Sequence, residues 1–118
     1  MPKILVIDDG ETVRNLISDL LTNAGYDVVT AKDGEEGLKR FNESYFDLVI
    51  TDLVMPKYDG NEIAKRIRES ERKTPIIGIT ATPGDFDKNY LDIVIEKPFS
   101  LEELIKCIKS ITQDCKSI

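Results

Sequence analysis

Two periods alternate along the chain. Short apolar runs rich in β-branched residues, at 4–7, 28–29, 48–51, 76–79 and 93–95, read as strands. Between them apolar positions return at helical spacing. Val13, Leu16, Ile17, Leu20 and Leu21 form one stripe, which begins after Gly10 and Glu11 and ends at Gly25, a residue suited to the left-handed position that closes a helix. Leu38 and Phe41 mark a second helix, opened by Asp33 with Glu36 three residues on. Ile63, Ala64 and Ile67 mark a third, opened near Asp59 and Gly60. Leu101, Leu104, Ile105, Ile108 and Ile111 mark the last, and Ser100 with Glu103 has the spacing of a capping box. The stretch 80–93 breaks the rhythm. It is too short and too rich in helix breakers for a full helix, and holds at most a turn or two around 85–90.

Strand and helix in alternation imply βαβ units, whose right-handed crossovers build a parallel sheet with helices on both faces. Nearly continuous apolar runs suit strands covered on both sides. The fold expected is α/β, a doubly wound, five-stranded, flavodoxin-like parallel sheet of order 2-1-3-4-5, with its fourth helix shortened or absent. There is no repeat, low-complexity tract or linker, so 1–118 is expected to be a single domain with a core over about 3–111 and a short tail, 112–118.

Composition then removes whole classes of chemistry. No apolar run is long enough to span a bilayer, and the N-terminal run is too short for a signal peptide, so no membrane association and a cytoplasmic location are expected. Twenty-two acidic residues against 16 basic ones give a net charge of −6, which disfavours direct binding of nucleic acid. Cys107 and Cys115 are eight apart in a helical stretch and read as two isolated thiols. Histidine is absent. That excludes Ser-His and Cys-His nucleophiles, His-ligated zinc and an internal phosphohistidine, and leaves carboxylates, hydroxyls, lysine and a hard metal ion.

In an open α/β sheet, ligands sit beyond the carboxyl ends of the strands. The residues at those ends are Asp8 and Asp9, then Asp52, then Thr80, then Glu96, Lys97 and Pro98; the second strand, ending near Thr30 and Ala31, adds nothing obvious. Singly, an aspartate after a strand is a cap and a threonine is a β former. Together they place several carboxylates, a hydroxyl and an ammonium on one edge. Carboxylates about 4 Å apart repel by about 4 kcal/mol per pair at an effective dielectric near 20. One lysine does not offset this, whereas Mg²⁺, which takes oxygen ligands and shares its site with phosphate oxygens, does.

The segment Asp52-Leu53-Val54-Met55-Pro56-Lys57-Tyr58-Asp59-Gly60 resembles the phosphoacceptor segment of response-regulator receiver domains, the CheY-like family of two-component signal transduction. Asp8-Asp9 followed by Arg14, Thr80-Ala81 and Lys97-Pro98-Phe99 resemble its acidic pair, its hydroxyl position and its lysine with a cis-proline turn. The resemblance runs from Lys3 to about Ile111. It implies that Asp52 takes a phosphoryl group from a partner histidine kinase or phosphotransfer protein. It further implies that Asp9, Asp52 and the Val54 backbone carbonyl ligate Mg²⁺, with Asp8 acting through water, and that Thr80 and Lys97 engage phosphoryl oxygens. A downstream effector or fused output domain would read the resulting switch, and no independent substrate turnover is expected beyond self-dephosphorylation.

The chain departs from the family pattern in three respects. Val94 stands where the switch aromatic is usual. Only 16 residues separate Thr80 from Lys97, several fewer than usual, which bears on the fourth helix and on output. Val54 and Thr82 occupy the positions that tune dephosphorylation, and the apolar Val54 implies slow loss of phosphate. A pseudo-receiver that binds partners without phosphorylation is the alternative. An aspartyl-phosphate phosphohydrolase would need a second aspartate where Val54 stands, and a flavin-binding domain would need a phosphate loop that Gly10 and Glu11 do not supply.

Overall fold

A computed structural model describes residues 2–53, 60–70, 74–80, 90–97 and 99–114. The elements follow in the order β1 (Lys3–Ile7), α1 (Glu11–Asn23), β2 (Asp27–Ala31), α2 (Gly34–Glu43), β3 (Leu48–Asp52), α3 (Gly60–Glu69), β4 (Ile76–Thr80), β5 (Ile93–Glu96) and α4 (Leu101–Asp114). All five strands are parallel, in the order β2-β1-β3-β4-β5. The α/β doubly wound architecture follows from the alternation of periods, because each parallel crossover must be long enough to hold a helix.

The helix signals act as their residue types require. Asp33 accepts the amide of Glu36 at 2.8 Å, and Glu36 reaches back to the amide of Lys32 at 3.1 Å. Ser100 accepts the amide of Glu103 at 3.1 Å. Gly25 takes φ 99°, and the amides of Gly25 and Tyr26 donate to the carbonyls of Thr22 and Leu21, which closes α1 with a Schellman turn. The last helix continues to Asp114, past the Ile111 where its apolar spacing ends, so the helix takes in the first residues of the expected tail.

The sheet separates two cores. Ile4, Val6, Ile50, Ile77 and Ile79 pack against Ile17 and Leu21 of α1 and Leu104 and Ile108 of α4. Leu5, Ile7, Val49 and Ile76 pack against Phe41 of α2 and Ile63 and Ile67 of α3. Strands β3 and β4 are buried throughout, while β2 and β5, at the edges, are only partly so. Close approach of α2 to β1 depends on Gly37, where a Cβ would lie 2.5 Å from Ile7 Cδ1. Val94 and Tyr90 both pack beside the α2–α3 core. Residues 81–89, where the shortened helix is expected, lie outside the described residues, as do Val54, Thr82, Pro98 and Cys115.

Candidate functional site

Parallel register brings the acidic residues together. Ile7 pairs with Thr51 across β1 and β3, so Asp8 and Asp52, each one residue further on, emerge side by side at the carboxyl edge. Carboxylate oxygens of Asp8, Asp9 and Asp52 all lie within 4.8 Å of one another. Asp8 and Asp52 are buried and Asp9 is exposed, so the cluster opens to solvent on one side.

Backbone contacts hold the cluster in place. The Asp8 amide donates to the Ala31 carbonyl at 3.1 Å, so β2 contributes a backbone anchor where the sequence shows no functional side chain. The Gly10 amide donates to Asp8 Oδ1 at 2.8 Å, and Arg14 Nη1 donates to the Asp8 carbonyl at 2.9 Å. These supporting roles of Gly10 and Arg14 escape a reading of spacing alone. The available signal was Arg14 lying about one turn into the helix that follows an acidic pair.

The other side of the site comes from β4 and β5. Thr80, buried, ends β4, and its carbonyl accepts the Lys97 amide at 2.7 Å. This bond continues the β4–β5 ladder one step beyond the pairing of Thr80 with Glu96. Lys97 Nζ then reaches Asp52 Oδ2 at 3.3 Å. Asp8, Asp9, Asp52, Thr80 and Lys97 thus converge on one edge, as the sequence leads one to expect. Val54 lies outside the described residues.

Among the described residues, the edge is short of positive charge. Burial pushes the Asp8 carboxyl above its ordinary range, opposed by the Gly10 amide; the negative charges of Asp52 and Asp9 add to the rise and Lys97 opposes it. The donor set fits a hydrated Mg²⁺. Opposite ligands of an octahedral site with bonds of about 2.1 Å lie about 4.2 Å apart, close to the span of these oxygens.

A family model described as the response regulator receiver domain matches residues 4–109. The chain belongs to the response regulator receiver domain family. The receiver is 40% identical over 114 residues to the alkaline phosphatase synthesis transcriptional regulatory protein PhoP of Bacillus subtilis, covering 92% of this chain and 48% of that protein. It therefore spans about half the length of the curated relatives it matches. Among solved structures, a receiver domain protein from Clostridium thermocellum superposes with a TM-score of 0.90 at 33% identity, covering 98% of each chain. The response regulator TrrA of Thermotoga maritima, in complex with Mg²⁺ and BeF, gives 0.88 at 37% identity, covering 94% of this chain and 99% of that one. The CheY-like fold and the place of this receiver among the response regulators of two-component systems follow from these likenesses. No helix among the described residues is long and apolar enough to cross a membrane.

Proposed function

We propose that this receiver accepts a phosphoryl group on Asp52 from the phosphohistidine of a partner histidine kinase or phosphotransfer protein. The observation that carries the reading is the meeting of the Asp8, Asp9 and Asp52 carboxylates with Lys97 at the ends of three strands. Asp9, Asp52 and the Val54 carbonyl would hold Mg²⁺, with Asp8 supporting it through water. The bound ion would neutralise charge on the transferring phosphoryl oxygens.

The side chains perform the rest. An Asp52 carboxylate oxygen attacks phosphorus as the P–N bond to the donor imidazole breaks, and the imidazole leaves with the bonding pair. The backbone bonds to Asp8, from Gly10 and Arg14, keep the acidic pair aligned with Asp52. Lys97, already beside Asp52, moves its ammonium onto a phosphoryl oxygen, and the Thr80 hydroxyl donates to another. Their movement biases the edge formed by β4, β5 and the start of α4, which a downstream effector or a fused output domain reads. An apolar cleft of about 330 Å³ between α1 and α4 opens beside Lys97, with Leu16 exposed at its lining, and offers the donor protein a surface next to Asp52. Turnover of an independent substrate is not part of this function.

Incubation with Mg²⁺ and acetyl phosphate, followed by intact-mass spectrometry, tests the reading. One added phosphoryl group is expected on the wild type and none on Asp52→Asn. No addition, together with no Mg²⁺-dependent response to beryllofluoride, would leave an interaction module of the pseudo-receiver kind.

A further inference from the structure

Strand β5 delivers Lys97, yet it is weakly seated. It has four residues, lies at the sheet edge and buries only Ile95. The ammonium that meets Asp52 is therefore only as well placed as this strand. At its exit the Lys97 amide is tied to the Thr80 carbonyl at 2.7 Å. Its entry is tied more elaborately. The Asp92 amide donates to the Ile76 carbonyl at 2.9 Å, and Asp92 Oδ2 accepts the Ile76 amide at 2.7 Å. Both contacts fall on one residue of β4, so they pin the register of β5 as well as its distance. A slip of one residue would carry the Lys97 amide away from Thr80.

Arg68 completes the arrangement. Its Nη2 pairs with the same Asp92 Oδ2, and its Nε donates to the Tyr90 carbonyl at 3.2 Å. Arg68 stands in the last turn of α3, beside the fully buried Ile67, so its fork is presented from a packed helix. A lone pair at this degree of exposure would add little. Here the guanidinium fixes both the side-chain rotamer of Asp92, the residue before the strand, and the backbone carbonyl of Tyr90 two residues earlier. Four residues of strand span about 13 Å, so the clamp and Lys97 sit at opposite ends of one short lever.

We propose that Arg68 is a positioning residue for phosphoryl uptake, acting through Asp92 to hold β5 in register and so keep Lys97 within reach of Asp52. The inference rests on the role assigned to Lys97 above. Two measurements on the full chain test it. In amide hydrogen exchange, Arg68→Ala is expected to lower protection of the Lys97 amide about tenfold relative to β1 amides. In uptake from acetyl phosphate, it is expected to slow the reaction about three- to tenfold, since small misplacements of a charged group weigh heavily on rate. In a Lys97→Ala background the same change should slow uptake no further, although it lowers Tm equally in both backgrounds. Arg68→Lys should fall between, and Asp92→Asn, which keeps the Ile76 contact, should shift exchange in the same direction by less. Unchanged protection at Lys97 would overturn the clamp, and a further slowing in the Lys97→Ala background would overturn its action through Lys97. A wild type that takes up no phosphoryl group would defeat the proposed function, while exchange would still decide the clamp.

Discussion

Replacing Asp8 with asparagine should stabilise the metal-free receiver. Asp8 is 3% exposed and its carboxylate lies within 4.8 Å of that of Asp52, so its charge is both desolvated and repelled. At an effective dielectric of 20, that separation corresponds to about 3.5 kcal/mol of repulsion for this pair. Attraction to Lys97 and the bond from the Gly10 amide offset part of it. The carboxamide of Asp8→Asn would keep an oxygen for the Gly10 amide and gain an NH₂ able to donate toward Asp52. The balance is a gain of about 1–3 kcal/mol. At about 4 °C per kcal/mol for a chain of this size, Tm in EDTA should rise by about 4–12 °C. Thermal unfolding followed by circular dichroism reads it directly. Mg²⁺ should raise Tm of the wild type strongly and of Asp8→Asn weakly, because the variant has lost charge that the ion offsets. Asp52→Asn should gain less than Asp8→Asn in EDTA, since it also gives up the partner of Lys97. An Asp8→Asn protein no more stable than wild type in EDTA would refute the reasoning, for it would mean that solvent already screens the cluster.

Acidity should act through the same residue. The folded-state pKa of Asp8 lies above its unfolded value, so its ionisation weakens the metal-free fold. The protonated carboxyl therefore contributes stability that is fully present below the unfolded value near 3.8 and is lost as pH rises through the raised one. Comparing Tm against pH in EDTA for wild type and Asp8→Asn isolates it, and in saturating Mg²⁺ the trend should reverse, because the ion selects the ionised form. Lys97→Ala should slow uptake from acetyl phosphate by about 10- to 100-fold while leaving Asp52 modifiable, as read by mass spectrometry over time. Gly37→Ala should destabilise the fold by about 1–2 kcal/mol in urea titration, because the clash with Ile7 outweighs a gain in helix propensity of about 1 kcal/mol. Phosphorylated wild type should keep its phosphoryl group for longer than seconds, and Val54→Asn, which supplies a polar group to orient water, should shorten that lifetime in a mass-spectrometric decay.

Much of this was legible because the features lie in local chemistry. β-branched runs, helix stripes, the Asp33 and Ser100 caps and Gly25 each specify their own neighbourhood, and parallel topology then sends every strand end to one edge. Asp8, Asp9, Asp52, Thr80 and Lys97 could be gathered in that way without knowing a single distance. What spacing could not supply was contact between residues on different elements. The Ala31 carbonyl that anchors Asp8 is a backbone group and leaves no mark in residue type. Arg68 and Asp92 are 24 apart and look like ordinary surface charges until β5 is laid beside β4. The close seating of α2 on β1 likewise appears as one more helical glycine until Ile7 is found against it.

The two halves of the site are held by different means, and this bears on how it would respond to the proposed phosphorylation. Asp8 and Asp52 leave β1 and β3, strands buried nearly end to end between two cores, so moving either would disturb close packing. Lys97 leaves β5, an edge strand that pairs with one neighbour, buries only Ile95 fully, packs Ile93 and Val94 half-buried against the two cores, and has polar ties at its two ends. Charge placed on Asp52 therefore pulls against a rigid support on one side and a lightly held one on the other. On the proposed function the lighter side would yield, which would send the response along β5 toward α4 and leave the acidic pair in place. In most of the family an aromatic at the Val94 position would register that movement; here the half-buried Val94 and Tyr90 lie against the α2–α3 core beside the Arg68 clamp. A response at the start of β5 would thus be coupled to the end of α3 through Arg68. Phosphorylation or beryllofluoride should accordingly shift the NMR resonances of Arg68 and Asp92 as well as those of Thr80 and Lys97, and a response confined to the latter pair would show that β5 yields only at its exit.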